Sequence, residues 1–157
     1  MKLTTVSPAF LLTIVLTLSG CGGQRPISTP TPASPTTEPS VAPNVEDQAS
    51  LLIGLQSAGA TAELGDTVIQ DFFTPEGSIV TVNGADIQVF EYENAEAMES
   101  EASQVAPDGG SVGTSMMMWV EAPHFYKSGR IIVLYIGSDT ATLDLLQSVM
   151  GSQFAGQ

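Results

Sequence analysis

The chain has 157 residues, with 17 acidic side chains against 4 basic ones, one cysteine and one histidine, for a net charge of −13. That length fits one domain with attachments and excludes a large multi-domain enzyme. The charge excludes a phosphate-neutralising nucleic-acid surface, the single cysteine an internal disulfide, and the single histidine a His-rich metal centre.

A short positive start, Met1-Lys2, precedes the apolar run AFLLTIVLTL at 9–18. The run is about the length of a signal-peptide core and well short of the roughly 20 residues that span a bilayer. It also accounts for much of the positive mean hydropathy, +0.19, of so acidic a chain. Small residues then lead to the cysteine, in Leu18-Ser19-Gly20-Cys21. This motif resembles the lipobox of bacterial lipoproteins. The resemblance implies cleavage before Cys21, a diacylglycerol on its sulfur and palmitate-type acylation of the new N-terminus. It places the mature protein on the extracytoplasmic face of the cell membrane, at the cell surface or in the periplasm. Each buried CH₂ contributes about 0.8 kcal/mol, so several acyl chains anchor firmly. Gly22 follows the cysteine where an aspartate would signal inner-membrane retention in Gram-negative members, and which membrane holds the protein stays open.

Residues 22–45 contain 6 prolines and 7 serines or threonines and almost no large apolar side chains. Such composition cannot bury enough surface to offset chain entropy, so 21–45 reads as a lipidated cysteine followed by a disordered or polyproline tether. Fully extended at about 3.1 Å per residue, it reaches roughly 70 Å. Residues 46–157 form the folded unit, with 16 acidic side chains against Lys127 and Arg130, a net of −14. At 112 residues it is long enough to bury a core without disulfide or metal.

Within that unit the pattern predicts a helix from 44 or 46 to 58, with Leu51, Leu52 and Leu55 on one face and Gly59 as its stop. A short strand at 60–64 should turn at Gly65-Asp66, and Phe72-Phe73 should enter the core. Asn83-Gly84 between 78–82 and 85–92 is a type I′ hairpin signal. Ile87 and Val89 should then face one way, and Phe90 and Tyr92 the other. Asn94 caps a second helix to about 105, carrying Met98, Ala102 and Val105, and Pro107-Asp108-Gly109-Gly110 breaks it. Strands at 111–121 and 130–136 are apolar at successive positions, so both faces of each should be covered, as central strands or by docking on a second copy in a homodimer. A loop over 123–129 joins them, and Ser138 or Asp139 caps a last helix that ends at Gly151. The order predicts an α+β domain with a mainly antiparallel sheet of about four to five strands and helices packed on it.

Four constellations bear on chemistry. Gly109-Gly110-Ser111-Val112-Gly113 matches G-x-S-x-G, with His124 downstream; a nucleophile elbow needs strand before and helix after, and here the order is reversed. Met116-Met117-Met118 offers soft thioethers of the kind Cu(I) takes, but alternation lets at most Met116 and Met118 cooperate, and core filling is the simpler use. Glu91, Glu93, Glu96, Glu99 and Glu101 lack the spacing of a calcium loop and read as a solvated face. The segment 123–130 gathers His124, Phe125, Tyr126, Lys127 and Arg130, the unit's only cations beside two aromatics, and is the candidate binding loop.

The layout of signal, Pro/Thr tether and acidic α+β domain resembles that of small extracytoplasmic bacterial lipoproteins, a resemblance that transfers no catalytic or binding motif. The reading is a membrane-anchored, non-catalytic binding or accessory domain without cofactor or metal, whose partner is a protein, glycan or cation rather than nucleic acid. A small serine hydrolase using Ser111 and His124, or a cation-binding domain, stands as the alternative.

Overall fold

The computed structural model describes residues 44–157. The expected signal peptide, the expected lipidation site Cys21 and the expected tether as far as residue 43 lie outside the described residues. Eleven elements follow one another there: α1 (Gln48–Ser57), β1 (Ala62–Val68), β2 (Gly77–Val82), β3 (Ala85–Glu91), α2 (Ala95–Ala102), β4 (Ser111–Val112), β5 (Ser115–Met116), β6 (Pro123–Ser128), β7 (Ile131–Ile136), α3 (Thr140–Met150) and β8 (Ala155–Gly156). The fold is α+β. Six strands form one antiparallel sheet in the order β1-β2-β3-β7-β6-β8, and β4 and β5 form a separate two-stranded ribbon. The sheet has more strands than the four to five expected, because β6 and β8 were not legible as strands. Among the described residues no helix is long and apolar enough to cross a membrane.

Two hairpins build the centre. Asn83 (φ 51°) and Gly84 (φ 91°) occupy the left-handed positions that a type I′ turn requires, and they lock β2 onto β3 with Val82 opposite Ala85. Gly129-Arg130 turns β6 into β7, with Ser128 opposite Ile131. The hairpins join where β3 pairs with β7, Ile87 opposite Tyr135 and Phe90 opposite Ile132. This register sorts the side chains onto two faces. Ile87, Val89, Ile131, Val133 and Tyr135 join Leu51 and Leu55 of α1 and Leu146 and Val149 of α3 in one core. Phe90, Ile132, Leu134 and Phe125 join Met98 and Ala102 of α2, Phe73, Val105 and Val112 in the other. The uninterrupted apolar run of β7 is thus a central strand covered on both faces, as expected. Each fully buried Leu, Ile or Phe here contributes about 2 kcal/mol of transfer free energy.

Helix ends follow local chemistry. The first helix starts at Gln48 rather than at 44 or 46; Asp47 caps it, and its carboxylate and the Ser50 hydroxyl form a reciprocal capping box. Asn94 and Asp139 cap α2 and α3, their side chains accepting from Ala97 N and Thr142 N. Gly59 (φ 91°) and Gly151 (φ 87°) follow the two longer helices in conformations open to glycine.

Four expectations are corrected. Gly65-Asp66 is not a turn; β1 runs through it with a register shift between Leu64 and Thr67, a bulge in an edge strand. α2 stops at Ala102, and Val105 instead bridges Val112. The segment 111–121 is not a long central strand: Gly113 (φ 57°) reverses the chain after two residues, and only Ser111–Met116 and Val112–Ser115 pair. The segment from 123 is a strand rather than a loop, with Pro123 at its first position, where proline is tolerated. The domain also begins earlier than 46. Val45 is 2% exposed within the core, Ser128 Oγ donates to Val45 O at 2.6 Å, and Arg130 N donates to Glu46 O at 2.9 Å.

Candidate functional site

The segment between α2 and β6 is where the molecule departs most from its own sequence pattern. Pro107-Asp108-Gly109-Gly110 ends the helical stretch, with Asp108 Oδ1 accepting from Gly110 N at 2.9 Å in a local turn. The β4–β5 ribbon follows, and Met117 N then donates to Gly110 O at 2.9 Å. Trp119 is pinned by its Nε1–H to Gly109 O at 2.7 Å and by edge contacts to Phe72 and Phe125, both at 6.0 Å between centroids. These contacts turn residues 117 and 119 toward the domain. The residues that alternate with them point the other way: Met116 is 89% exposed, Met118 98% and Val120 92%. Period-two alternation therefore exists here, but with apolar residues on both sides of it. The reading of this methionine run as core filler is overturned for Met116 and Met118.

Beneath this ridge lies a cleft of about 390 Å³, lined by Asp108, Gly110, Met117, Trp119, Glu121 and Pro123 among others. It combines an indole, a thioether and two carboxylates with no cation. Such a surface offers apolar contact area with an acidic rim, which suits an apolar group carried beside positive charge.

The candidate binding loop behaves differently. Because 123–128 is a strand, its side chains alternate between faces rather than converging. Phe125 is wholly buried in one core and Tyr126 3% exposed in the other. Burial, and next the negative charge of Asp144, pushes the Tyr126 hydroxyl above its ordinary range. Lys127 Nζ lies 2.6 Å from Glu99 Oε1 and 5.1 Å above the Phe154 ring. Arg130 reaches Glu91 at 2.7 Å and Asp47 at 3.6 Å. His124 is 5% exposed and stacked on Tyr135. Its Nε2 faces the Gly137 carbonyl at 3.1 Å, which can only accept, so Nε2 carries a hydrogen; Nδ1 lies 2.8 Å from Gln153 Oε1. Each of the five residues thus already has a structural partner, and together they form no shared binding surface. A second cleft, about 450 Å³, opens between His124 and α3, lined by Leu143, Asp144, Gln147 and Gln153. Its only imidazole has both nitrogens engaged.

Nor does the fold bring Ser111 and His124 together. The ribbon that carries Ser111 packs through Val112 on the α2 side of the sheet, whereas His124 lies beside α3 on the opposite side. A serine–histidine couple needs the two side chains within hydrogen-bond reach, and this pair lies on opposite faces of the sheet. Of the five glutamates, Glu93 and Glu96 are exposed, as a solvated face requires, and the others have structural partners, Glu99 in the Lys127 pair. Glu91 accepts from Gln48 N at 3.0 Å and pairs with Arg130; Glu101 accepts from Tyr92 Oη at 2.9 Å and from the Thr74 backbone and hydroxyl. Burial, and then this Glu101 contact, holds the Tyr92 hydroxyl well above its usual range, so it stays a donor. Among the described residues no group of three or more His, Cys, Asp or Glu side chains is placed to hold a metal ion.

The feature that sequence reasoning missed is therefore the 116–120 ridge. The available signal was Gly113-Thr114, a turn pair inside the supposed strand. Comparison with protein-family models, with curated proteins and with solved structures gave no match.

Proposed function

We propose that this chain is a lipid-anchored extracytoplasmic protein whose acidic domain is a non-catalytic binding module, and that its binding face is the ridge Met116, Met118 and Val120 with the cleft beneath it. The observation that carries the binding assignment is the near-complete exposure of these three apolar side chains on a backbone fixed by Met117 and Trp119. Apolar groups clustered on a fixed segment and rimmed by polar ones mark contact surfaces, whereas scattered exposed apolar residues do not. The partner it fits is a protein with an apolar recess edged by lysine or arginine. Both cations of the domain are already paired with carboxylates, and its net charge of −14 over 46–157 favours approach of basic surfaces.

The anchor reading rests on Leu18-Ser19-Gly20-Cys21. Labelled palmitate should enter the native chain and its membrane fraction and be absent from Cys21→Ser; label retained in the serine variant refutes the anchor. For the face, a photo-crosslinking residue in place of Val120 should yield one discrete adduct in intact cells, and the same residue in place of exposed Ile53 none. Adducts of equal pattern at both positions refute the assignment. A homodimer through the ridge is the second reading; two faces of the same negative sign repel, and sedimentation of the domain as a concentration-dependent dimer is the result that would favour it.

A further inference from the structure

The ridge has a chemistry of its own. We propose that Met116 and Met118 are an oxidation site of the described domain, each taking one oxygen from a two-electron oxidant of the peroxide class, such as hydrogen peroxide. In the peroxide case a thioether lone pair attacks one peroxide oxygen, the S–O bond forms as the O–O bond breaks, and the displaced hydroxide leaves as water after taking the proton. Sulfur loses two electrons and peroxide gains them, so no further reductant or metal is needed. The product is a sulfoxide, polar where the thioether was apolar, and methionine sulfoxide reductases reverse it.

The molecule contains its own controls. Met116 and Met118 are 89% and 98% exposed, while Met98 is 5% exposed in the core beneath α2. Met117 and Met150 are half-buried, Met150 against the α1–α3 core. Oxidant meets the first pair directly and reaches Met98 only when the domain opens. Adding oxygen to Met116 and Met118 also costs the fold nothing, because neither side chain belongs to a core. The site is therefore one that the folded protein can have oxidised and restored repeatedly, which is not true of Met98.

A regulatory consequence rests on the binding reading above: two sulfoxides turn the apolar ridge into a strongly dipolar one and oppose docking of an apolar recess. The oxidation site itself is tested without any partner. The folded protein is treated with limiting hydrogen peroxide, and proteolytic fragments are followed by mass spectrometry. Met116 and Met118 should be converted on the order of tenfold faster than Met98, with Met117 and Met150 between them and the melting temperature unchanged. Comparable rates at Met98 and the ridge, or unfolding in step with the first oxygen added, overturn the proposal. For the consequence, the Val120 crosslink of the native chain should fade on oxidation and return when a methionine sulfoxide reductase restores the thioethers. A crosslink equally strong before and after oxidation overturns the regulatory half, and the absence of any crosslink overturns the binding reading that this half rests on.

Discussion

Gly129 is the residue at which the domain's entry and its central hairpin meet. Its φ is +53°, and a Cβ built on it would stand 2.3 Å from Glu46 Cα and 2.4 Å from Glu46 O. Both features forbid a side chain, since neither the turn nor the backbone of Glu46 can move without releasing the Arg130 N to Glu46 O hydrogen bond. Gly84 supplies the control: its φ is +91°, but nothing lies within 4 Å of its Cβ position. Gly84→Ala should cost only the left-handed strain, about 1 to 2 kcal/mol. Gly129→Ala adds a backbone clash and should cost about 2 to 4 kcal/mol in urea unfolding. Equal losses at the two positions would show that 44–46 is not held against the hairpin. At the same scale, replacing Met116, Met118 and Val120 together by serine should leave unfolding free energy within about 0.5 kcal/mol of native, because surface changes away from packed groups are nearly neutral.

Among the elements, the helix caps carry the pH dependence. Hydrogen bonds from the backbone and hydroxyl of Ser50, with Arg130 nearby, hold the Asp47 carboxyl below the ordinary aspartate value of 3.8. The Thr142 hydroxyl and backbone do the same for Asp139. A carboxyl depressed in the folded state stabilises it fully above the unfolded value and ceases to do so as pH falls through the folded one. The advantage of the native chain over Asp47→Ala or Asp139→Ala should therefore be constant from pH 7 to about 5 and shrink below about pH 4. Asparagine at either position keeps a cap that does not titrate, and its advantage over alanine should stay flat; chemical denaturation at pH 7 and pH 3 separates the two. The Asn94 and Asp139 caps were legible, as were the Asn83-Gly84 hairpin, the stop glycines and the buried run of β7, because each is fixed by neighbours in sequence; the Asp47 cap was not, since acidic and amide residues at 44, 46 and 47 offer the same signal. The strands β6 and β8 were not. Pro123, His124 and Lys127 read as a loop until β7 supplies the ladder, Gln153 and Gly137 satisfy the imidazole, and Glu99 takes the ammonium. The 116–120 ridge failed for the opposite reason: Trp119, Phe72, Phe73 and Phe125 already fill that side of the sheet, so apolar content alone did not place the segment inside.

For the whole molecule, the decisive stretch is the entry to the folded unit at 44–46. A tether that ended at Val45 would leave the folded unit free to hang from its first helix. Instead Val45 is buried in the α1–α3 core, its carbonyl accepts from Ser128, and Glu46 O accepts from Arg130 N. Any pull applied to the chain at residue 44 thus reaches the β6–β7 hairpin, inside the central sheet, before it reaches α1. That arrangement makes the entry segment part of the domain's stability. A chain beginning at Asn44 should unfold at the same denaturant midpoint as one carrying the full tether. One beginning at Gln48 loses Val45, whose burial alone is worth about 1.5 kcal/mol or more, together with the α1 cap and both hairpin acceptors. Its midpoint should fall by more than that of Val45→Ala. Equal midpoints for chains beginning at Asn44 and Gln48 would mean that the entry segment only rests on the domain, and that a pull on it passes to α1 instead.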